Sequence, residues 1–237
     1  MKLVEALRVV EYHWRMIHFS HVYKTFRGEV HALRDVNFKI NKGEFVFLTG
    51  HSGAGKTTLF NLLAGFDRPS SGKISVANYD IHGLSEKEAP FFRRKVGVVF
   101  QDFKLLNNRT VQENLMLPLE IINASQQMMM EKKNHMLTAL GLKEKENFYP
   151  DQLSGGEKQR LAIGRALVGQ PEVIIADEPT GNLDAHLSRE VMKIFAQCNA
   201  LGTTVFIATH DQQLVLEQKK RVILLKKGEV DHDAVSA

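Results

Sequence analysis

The segment that most constrains this chain is a glycine-rich loop between a predicted strand, FVFLTG, and a predicted helix, TLFNLLAG. Its residues are Gly50, His51, Ser52, Gly53, Ala54, Gly55, Lys56 and Thr57, followed by Thr58. Glycines let the backbone curl so that successive N–H groups point at one centre, and the start of a helix adds partial positive charge there. The loop therefore predicts a phosphate-binding site, in which Lys56 reaches the β- and γ-phosphates and Thr57 offers its hydroxyl to Mg²⁺.

A second feature is the pair of adjacent carboxylates, Asp177 and Glu178, that follows the apolar run 173–176. The run is too short for a helix and indicates a buried strand. A carboxylate at the end of such a strand is costly to desolvate unless a cation or hydrogen bonds compensate, so Asp177 is a candidate metal ligand. Glu178 is a candidate general base for a water that attacks the γ-phosphate. The alternative is an ordinary solvated strand end.

A third motif, LSGGE, precedes a helical run and consists of Leu153, Ser154, Gly155, Gly156 and Glu157. One interpretation is a helix cap, in which Ser154 and Glu157 form a capping box. The cap leaves the two glycines unexplained, because glycine at a helix start costs conformational entropy unless another backbone must approach closely. We therefore also predict a second anion site at this helix N-terminus.

Outside these motifs, short apolar runs alternate with helical segments, which is typical of an α/β fold with a largely parallel sheet. The stretch from about 102 to 152 differs, because it is rich in Leu, Met, Asn, Gln and Lys and has few strand candidates. We expect a helical lobe there. The three consecutive methionines at 128–130 are expected to pack or lie on a helix rather than to form an adaptable binding surface.

Composition restricts the classes of protein to which this chain can belong. No apolar run approaches the roughly 20 residues that span a bilayer, so a membrane role would depend on a partner. The net charge of +4 includes two short basic clusters, 219–221 and 226–227, which we interpret as solvated faces and not as a nucleic-acid site. The single cysteine, Cys198, excludes an internal disulfide and fits a reducing compartment. Residues 1–15 do not resemble a secretion signal; they are either a short helix or an upstream start ahead of Met16.

The motifs occur in the order phosphate loop, Gln101, LSGGE, carboxylate pair and His210. This order resembles that of the ATPase subunits of ABC transporters, and the resemblance covers the chain from about Met16 onward. It implies a P-loop NTPase fold, with a RecA-like core around a mainly parallel sheet, an antiparallel β subdomain and an inserted α-helical subdomain. We accordingly expect an ATPase domain over 16–237, with the helical subdomain at about 102–168, and an N-terminal extension of unknown role over 1–15.

The resemblance also implies roles for single residues. Gln101 would contact the metal or the attacking water and sense a membrane partner, and His210 would hold the γ-phosphate. Asp184 would lie at a dimer interface. An aromatic residue near the start of the domain stacks on adenine in this family; Phe26 best matches that position, where tyrosine is common, and Tyr23 is the second choice.

These inferences together predict a site with ATP and Mg²⁺ as its cofactors. The residues expected to act in catalysis are Glu178, His210 and Gln101. The expected metal ligands are Thr57, Gln101 and Asp177. The residues expected to contact ATP are Phe26 and the loop 50–58.

In the ABC family, the LSGGE motif of one subunit closes over the ATP held by the phosphate loop of the other. Each chain would then carry half of each site, so that two ATP molecules join a homodimer and hydrolysis releases it. The resemblance further implies an integral membrane partner that docks on the helical subdomain. It places the chain on the cytoplasmic face of the inner membrane, as a peripheral subunit.

Four stretches narrow the resemblance to the cell-division members of the family: TGHSGAGKTT, PFFRRKVGVVFQDFKLL, NRTVQENL and ADEPTGNLD. In that branch, ATP turnover sends a conformational signal through an FtsX-like membrane protein to cell-wall hydrolases. ADEPTGNLD also occurs in the ATPases of lipoprotein-release and macrolide exporters, which are the alternative. Soluble ABC ATPases that act on DNA or ribosomes usually carry two cassettes or a long inserted coiled coil, and this chain has neither.

Overall fold

The computed structural model describes residues 15–28, 30–181 and 183–235, which form an α/β fold with two sheets. The predicted N-terminal extension, 1–15, lies outside the described residues except for Arg15, where the first strand begins.

The larger sheet has six strands in the order β10-β9-β3-β8-β7-β6. Its strands are β3 (Phe45–Thr49), β6 (Val96–Val99), β7 (Val173–Asp177), β8 (Thr204–Ala208), β9 (Arg221–Lys226) and β10 (Glu229–Val235). All run parallel except β10, which closes one edge antiparallel to β9. β8 is buried along its whole length, as expected for a parallel strand with both faces covered.

The smaller sheet is antiparallel and has the order β2-β1-β4-β5. Its strands are β1 (Arg15–Phe26), β2 (Val30–Asn41), β4 (Ser71–Val76) and β5 (Tyr79–Asp80). Phe19 of β1 stacks on Phe38 of β2 with ring centroids 4.5 Å apart, and Phe38 lies 6.4 Å from Phe206 of β8. These stacked rings join the two sheets in one apolar core.

The described residues contain seven α-helices. They are α1 (Lys56–Leu63), α2 (Ala89–Lys95), α3 (Val111–Ile121), α4 (Gln126–Ala139), α5 (Gly155–Leu167), α6 (Ala185–Ala200) and α7 (Gln212–Gln218). The helix predicted around 86–94 begins at Ala89, because Pro90 occupies the first turn, where its missing N–H removes no helical hydrogen bond. None of these helices is long and apolar enough to cross a bilayer.

Between β6 and β7 the chain forms only helices and turns, where the sequence predicts a helical lobe. Leu115 of α3, Leu137 of α4 and Leu161 of α5 are fully buried in a separate apolar cluster. The lobe therefore has a small core of its own. Met128 and Met130 lie on the exposed side of α4, in agreement with the expectation that the methionines sit on a helix.

Gly72 fixes the contact between β4 and β1. Its φ is +87°, and a Cβ at this position would overlap the carbonyl group of His21. We expect Gly72→Ala to lower the free energy of unfolding by roughly 3 kcal/mol, because left-handed strain and a forced backbone shift add together. Urea unfolding would measure the loss.

Gly202 provides the matched control. Its φ is +96°, but a Cβ there meets nothing within 4 Å, so Gly202→Ala carries only the strain of about 1 kcal/mol. Equal losses in the two variants would contradict the overlap assigned to Gly72.

Candidate functional site

The glycine-rich loop folds around the amino group of its own lysine. Lys56 Nζ donates to the carbonyl oxygen of Gly50 at 2.6 Å and to that of His51 at 3.3 Å. Gly55 precedes α1 with φ +107°, and a Cβ there would lie 2.7 Å from the carbonyl oxygen of Ala32. The close approach of β2 therefore requires glycine at this position and fixes the curl of the loop.

Four segments that are distant in sequence line one cleft of about 1280 Å³. All four follow or end parallel strands of the larger sheet: the loop after β3, Gln101 after β6, Asp177 and Glu178 at the end of β7, and His210 after β8. Ligands of open parallel sheets bind at this edge. The structure thus brings the predicted catalytic, metal-binding and phosphate-binding residues together.

Ala54 is the one member of the loop 50–58 that does not line the cleft. Its side chain is buried, and its carbonyl accepts the N–H of Gly228 at 3.0 Å. Ala54 therefore anchors the loop to the turn between β9 and β10.

Asp177 and Glu178 have different surroundings. Burial raises the pKa of Asp177 to about 6; the charge of Glu178 adds to the rise and that of Lys56 opposes it. Glu178 has a left-handed backbone, with φ +47°, and its Oε1 lies 2.8 Å from Nδ1 of His210. The backbone N–H of His210 also donates to Glu178 Oε2 at 3.3 Å. The predicted general base and the predicted γ-phosphate ligand are therefore in direct contact.

The donor set of the cleft fits Mg²⁺. Thr57, Gln101 and Asp177 all line it and all offer oxygen atoms. Within the described ranges, Asp177 makes no ion pair, and no cluster of three or more His, Cys, Asp or Glu side chains is arranged to hold a metal ion. One carboxylate with neutral oxygens suits Mg²⁺, which keeps several waters and takes further ligands from nucleotide phosphates.

The LSGGE motif lies outside this cleft and caps α5. Ser154 Oγ accepts the N–H of Glu157 at 3.3 Å, and Glu157 Oε2 accepts the N–H of Ser154 at 2.9 Å. The predicted capping box is therefore present. Lys145 Nζ also lies 2.6 Å from Glu157 Oε1 and fixes this side chain, while Leu153 is buried in the core of the lobe.

The two glycines of the motif meet different surroundings. A Cβ at Gly156 would lie 2.8 Å from Leu187 Cδ1, so this glycine allows α5 to pack against α6. A Cβ at Gly155 would meet nothing within 4 Å, and the residue is exposed. Only Gly155 thus leaves backbone open for approach from outside the chain.

Asp184 is exposed and caps α6, with its Oδ1 accepting the N–H groups of His186 and Leu187, each at 2.9 Å. This cap is a structural role that the sequence analysis did not assign. The predicted interface role of Asp184 stays a prediction.

The structure does not bring the predicted adenine-stacking residues into the cleft. Phe26 and Tyr23 are 44% and 41% exposed, and neither lines it. Lys24 Nζ lies 5.0 Å from the ring centroid of Phe26. The adenine contact of Phe26 stays a prediction, while His31 of the neighbouring strand does line the cleft.

Sequence reasoning missed the part of the cleft formed by the sheet edge. The lining residues there are Val222, Leu224, His232, Ala234 and Val235. They belong to β9 and β10 and carry no motif. Their only signal in the sequence is the alternation of an edge hairpin, which does not indicate a ligand.

The chain resembles known proteins along most of its length. Residues 33–181 match the family model described as ABC transporter. The chain is 46% identical over 213 residues to the cell division ATP-binding protein FtsE of Escherichia coli (strain K12), covering 90% of this chain and 96% of the relative. It is 45% identical over 218 residues to the protein of the same name from Bacillus subtilis (strain 168), covering 92% and 96%.

Solved structures of ATP-binding cassettes also resemble this chain. The dimeric structure of a post-hydrolysis state of the ATP-binding cassette MJ0796, bound to ADP and Pi, matches with a TM-score of 0.85 and 36% identity, over 94% of this chain and 99% of that one. The dimeric structure of MJ0796 described as a bacterial ABC transporter cassette matches with a TM-score of 0.86 and 37% identity over the same shares.

The raised pKa of Asp177 predicts a pH effect on stability in the absence of nucleotide and metal. The folded protein holds this proton up to about pH 6, whereas the unfolded chain, in which aspartate has its ordinary pKa of 3.8, has already released it at pH 5. Stability contributed by the protonated group is therefore lost as the pH rises from 3.8 through about 6, and the decline is complete by pH 7.5. We expect Asp177→Asn to remove this decline and to be more stable than the wild type at pH 7.5.

Urea unfolding at several pH values checks this expectation, with the difference between variant and wild type as the measured quantity. A difference that stays constant from pH 5 to 7.5 would contradict the assignment.

Proposed function

This chain belongs to the ABC transporter family, and on that premise we propose that it is the ATPase of a cell-division complex that drives a conformational change in an FtsX-like membrane protein. It binds ATP, hydrolyses it and forms a dimer around two ATP molecules. The observation that carries the proposal is the convergence of the phosphate loop, Gln101, the carboxylate pair and His210 on one cleft, in a chain 46% identical to FtsE.

The two-site dimer explains why the LSGGE motif lies apart from the cleft. The cleft supplies the phosphate loop and the catalytic side chains, and the N-terminus of α5 supplies N–H groups that no residue of its own cleft uses. We propose that the exposed backbone at Gly155 contacts the triphosphate held by a second copy of the chain.

Hydrolysis joins a water oxygen to the γ-phosphorus while the bond from that phosphorus to the β,γ-bridging oxygen breaks. We assign Glu178 to orient this water and accept its proton, and His210 to donate to a γ-phosphate oxygen. Because the two side chains lie 2.8 Å apart, the assigned roles require His210 to turn from the carboxylate to a phosphate oxygen, which would free Glu178 for the water. Mg²⁺ held by Thr57, Gln101 and Asp177 would neutralise charge on the β- and γ-phosphates.

An exposed apolar surface beside Gln101 is the proposed docking site for the membrane partner. Phe66, Phe91 and Ile121 are each about half exposed, at 51%, 55% and 53%. Phe66 stacks on Phe100, which directly precedes Gln101, with ring centroids 5.7 Å apart. Exposed aromatic side chains are enriched at protein interfaces.

This surface also joins the sheet core to the helical lobe. Arg94 of α2 lies 5.2 Å from the ring of Phe91, and its Nη2 donates to the carbonyl of Ile121, at the end of α3, at 3.0 Å. A partner segment seated here would contact both parts at once. This docking accounts for the proposed location of the chain on the cytoplasmic face of the inner membrane.

Glu178→Gln should abolish turnover while ATP binding persists, because glutamine keeps the shape of the side chain but does not accept a proton at neutral pH. We expect turnover at least 100-fold below wild type and an ATP-bound dimer on size-exclusion chromatography.

Lys56→Ala is the contrasting variant, since it removes the ammonium group that the loop surrounds. It should weaken ATP binding itself, and no dimer should accumulate. Turnover that persists in Glu178→Gln would exclude Glu178 as the general base. Unchanged ATP affinity in Lys56→Ala would exclude the loop 50–58 as the phosphate-binding site.

Phe91→Ser should lower recovery of the membrane partner in a pull-down from membranes by roughly tenfold, because buried aromatic residues dominate interface energies. ATP hydrolysis by the isolated subunit should not change. Leu201→Ser, at an 88% exposed position after α6, is the matched control and should leave recovery unchanged.

The identity of the recovered protein tests the cell-division role. An export permease in place of an FtsX-like protein would favour the lipoprotein-release or macrolide alternative. If Phe91→Ser recovers the membrane partner as fully as the wild type does, the partner docks on another surface.

A further inference from the structure

Arg165 is a partly buried cation whose role the sequence motifs leave unassigned. It lies near the end of α5, and burial lowers the pKa of its guanidinium. Its Nη2 donates to the carbonyl of Phe103 at 2.9 Å, and its Nη1 lies 3.5 Å from Oδ1 of Asn114. Within residues 15–28, 30–181 and 183–235 it makes no ion pair with a carboxylate. Its partners are thus a backbone carbonyl and an amide.

The segment that Arg165 contacts begins at the ATP cleft. Gln101 lines the cleft, and two residues later Phe103 and Lys104 both have left-handed backbones, with φ +62° and +47°. Such conformations cost energy for residues other than glycine and persist where surrounding contacts hold them. The hydrogen bond from Arg165 to Phe103 is a contact of that kind.

Asn114 of α3 holds the far end of the same segment. It is fully buried; its Oδ1 accepts the N–H of Leu106 at 3.0 Å, and its Nδ2 donates to the carbonyls of Leu106 and Thr110 at 3.1 and 3.0 Å. Because Arg165 also reaches this amide, α5 and α3 together fix the path of residues 103–110. A shift of α5 is therefore transmitted to the chain that carries Gln101.

The other end of α5 carries the exposed backbone of Gly155. Ten residues of α-helix separate Gly155 from Arg165, a distance of about 15 Å along a stiff element. Near Arg165 the helix is also packed closely on β6, since a Cβ at Gly97 would lie 2.8 Å from the carbonyl oxygen of Ala166. One helix thus connects the surface offered to a second copy with the strand and loop that lead to Gln101.

We propose that Arg165 is a positioning residue that couples the two ATP sites of the dimer: when the N-terminus of α5 engages the nucleotide of the other copy, Arg165 sets the position of Gln101 in its own cleft. This inference rests on the proposed dimeric ATPase function. Arg165 touches neither nucleotide and acts through the 103–106 backbone.

Arg165→Met keeps the length and apolar stem of the side chain and removes its donors. The expected result is a kcat for ATP hydrolysis at least tenfold below wild type, within the usual range of coupling between sites, and a KM for ATP within twofold of wild type. Arg165→Lys, which keeps the charge and a donor, should recover part of the loss.

Arg160→Met is the matched control. Arg160 lies on the same helix, and its Nε donates to a backbone carbonyl, that of Leu140, at 2.9 Å, inside the lobe and away from Gln101. It should lower thermal stability as Arg165→Met does and leave kcat near wild type. Equal kcat values in the two methionine variants would reduce Arg165 to a structural residue and overturn the proposal.

Hydrogen exchange in a Glu178→Gln background tests the coupling without depending on how well Arg165→Met folds. With Arg165 present, ATP should protect residues 154–158 and 101–106 together. With Arg165→Lys or Arg165→Met, protection of 154–158 should persist while that of 101–106 falls. Protection of 154–158 alone in the protein that retains Arg165 would overturn the proposal. Absence of any ATP-dependent dimer would instead contradict the proposed function.

Discussion

The site depends on one constraint: strands that run parallel in a sheet end at the same edge. β3, β6, β7 and β8 are neighbours or near neighbours in the larger sheet, so the residues that follow them meet although they are up to 160 positions apart, as for Gly50 and His210. The antiparallel sheet contributes by contact, through Ala32 of β2 against Gly55 of the loop. The antiparallel sheet thus packs against one side of the phosphate loop, and the loop lines the cleft at the strand ends.

Charged side chains gather at the same edge of the sheet, and the contacts among them leave the ionised form of Asp177 disfavoured. Burial and the neighbouring Glu178 raise the pKa of Asp177 to about 6, and among the residues that the structure describes Lys56 is the cation that opposes the rise. A triphosphate with a divalent cation would supply the missing positive charge beside Asp177 and occupy Lys56. Nucleotide binding and the stability of this edge are therefore linked, since a ligand that binds only the folded state stabilises it.

Features that depend on local sequence could be predicted, and features that depend on distant contacts could not. The loop at 50–57, the strand before Asp177 and the capping box of Ser154 follow from short patterns, and the structure has each of them. The roles of Arg165 and Asn114 could not be predicted, because their partners are backbone groups of another segment with no motif. Phe26 fits the family's motif position but does not line the cleft, so its contact with adenine stays a prediction.

The LSGGE motif combines a structural role within the chain with a proposed contact to a second copy. Its serine and glutamate are both used within the chain, in the cap of α5, and Gly156 is used in packing against Leu187. Only Gly155 is left without an intramolecular reason, because a side chain at this position would meet no atom of its own chain. The proposed dimer, in which α5 faces the second nucleotide, would explain the conformational cost of glycine at this open helix start by an approach from outside the chain.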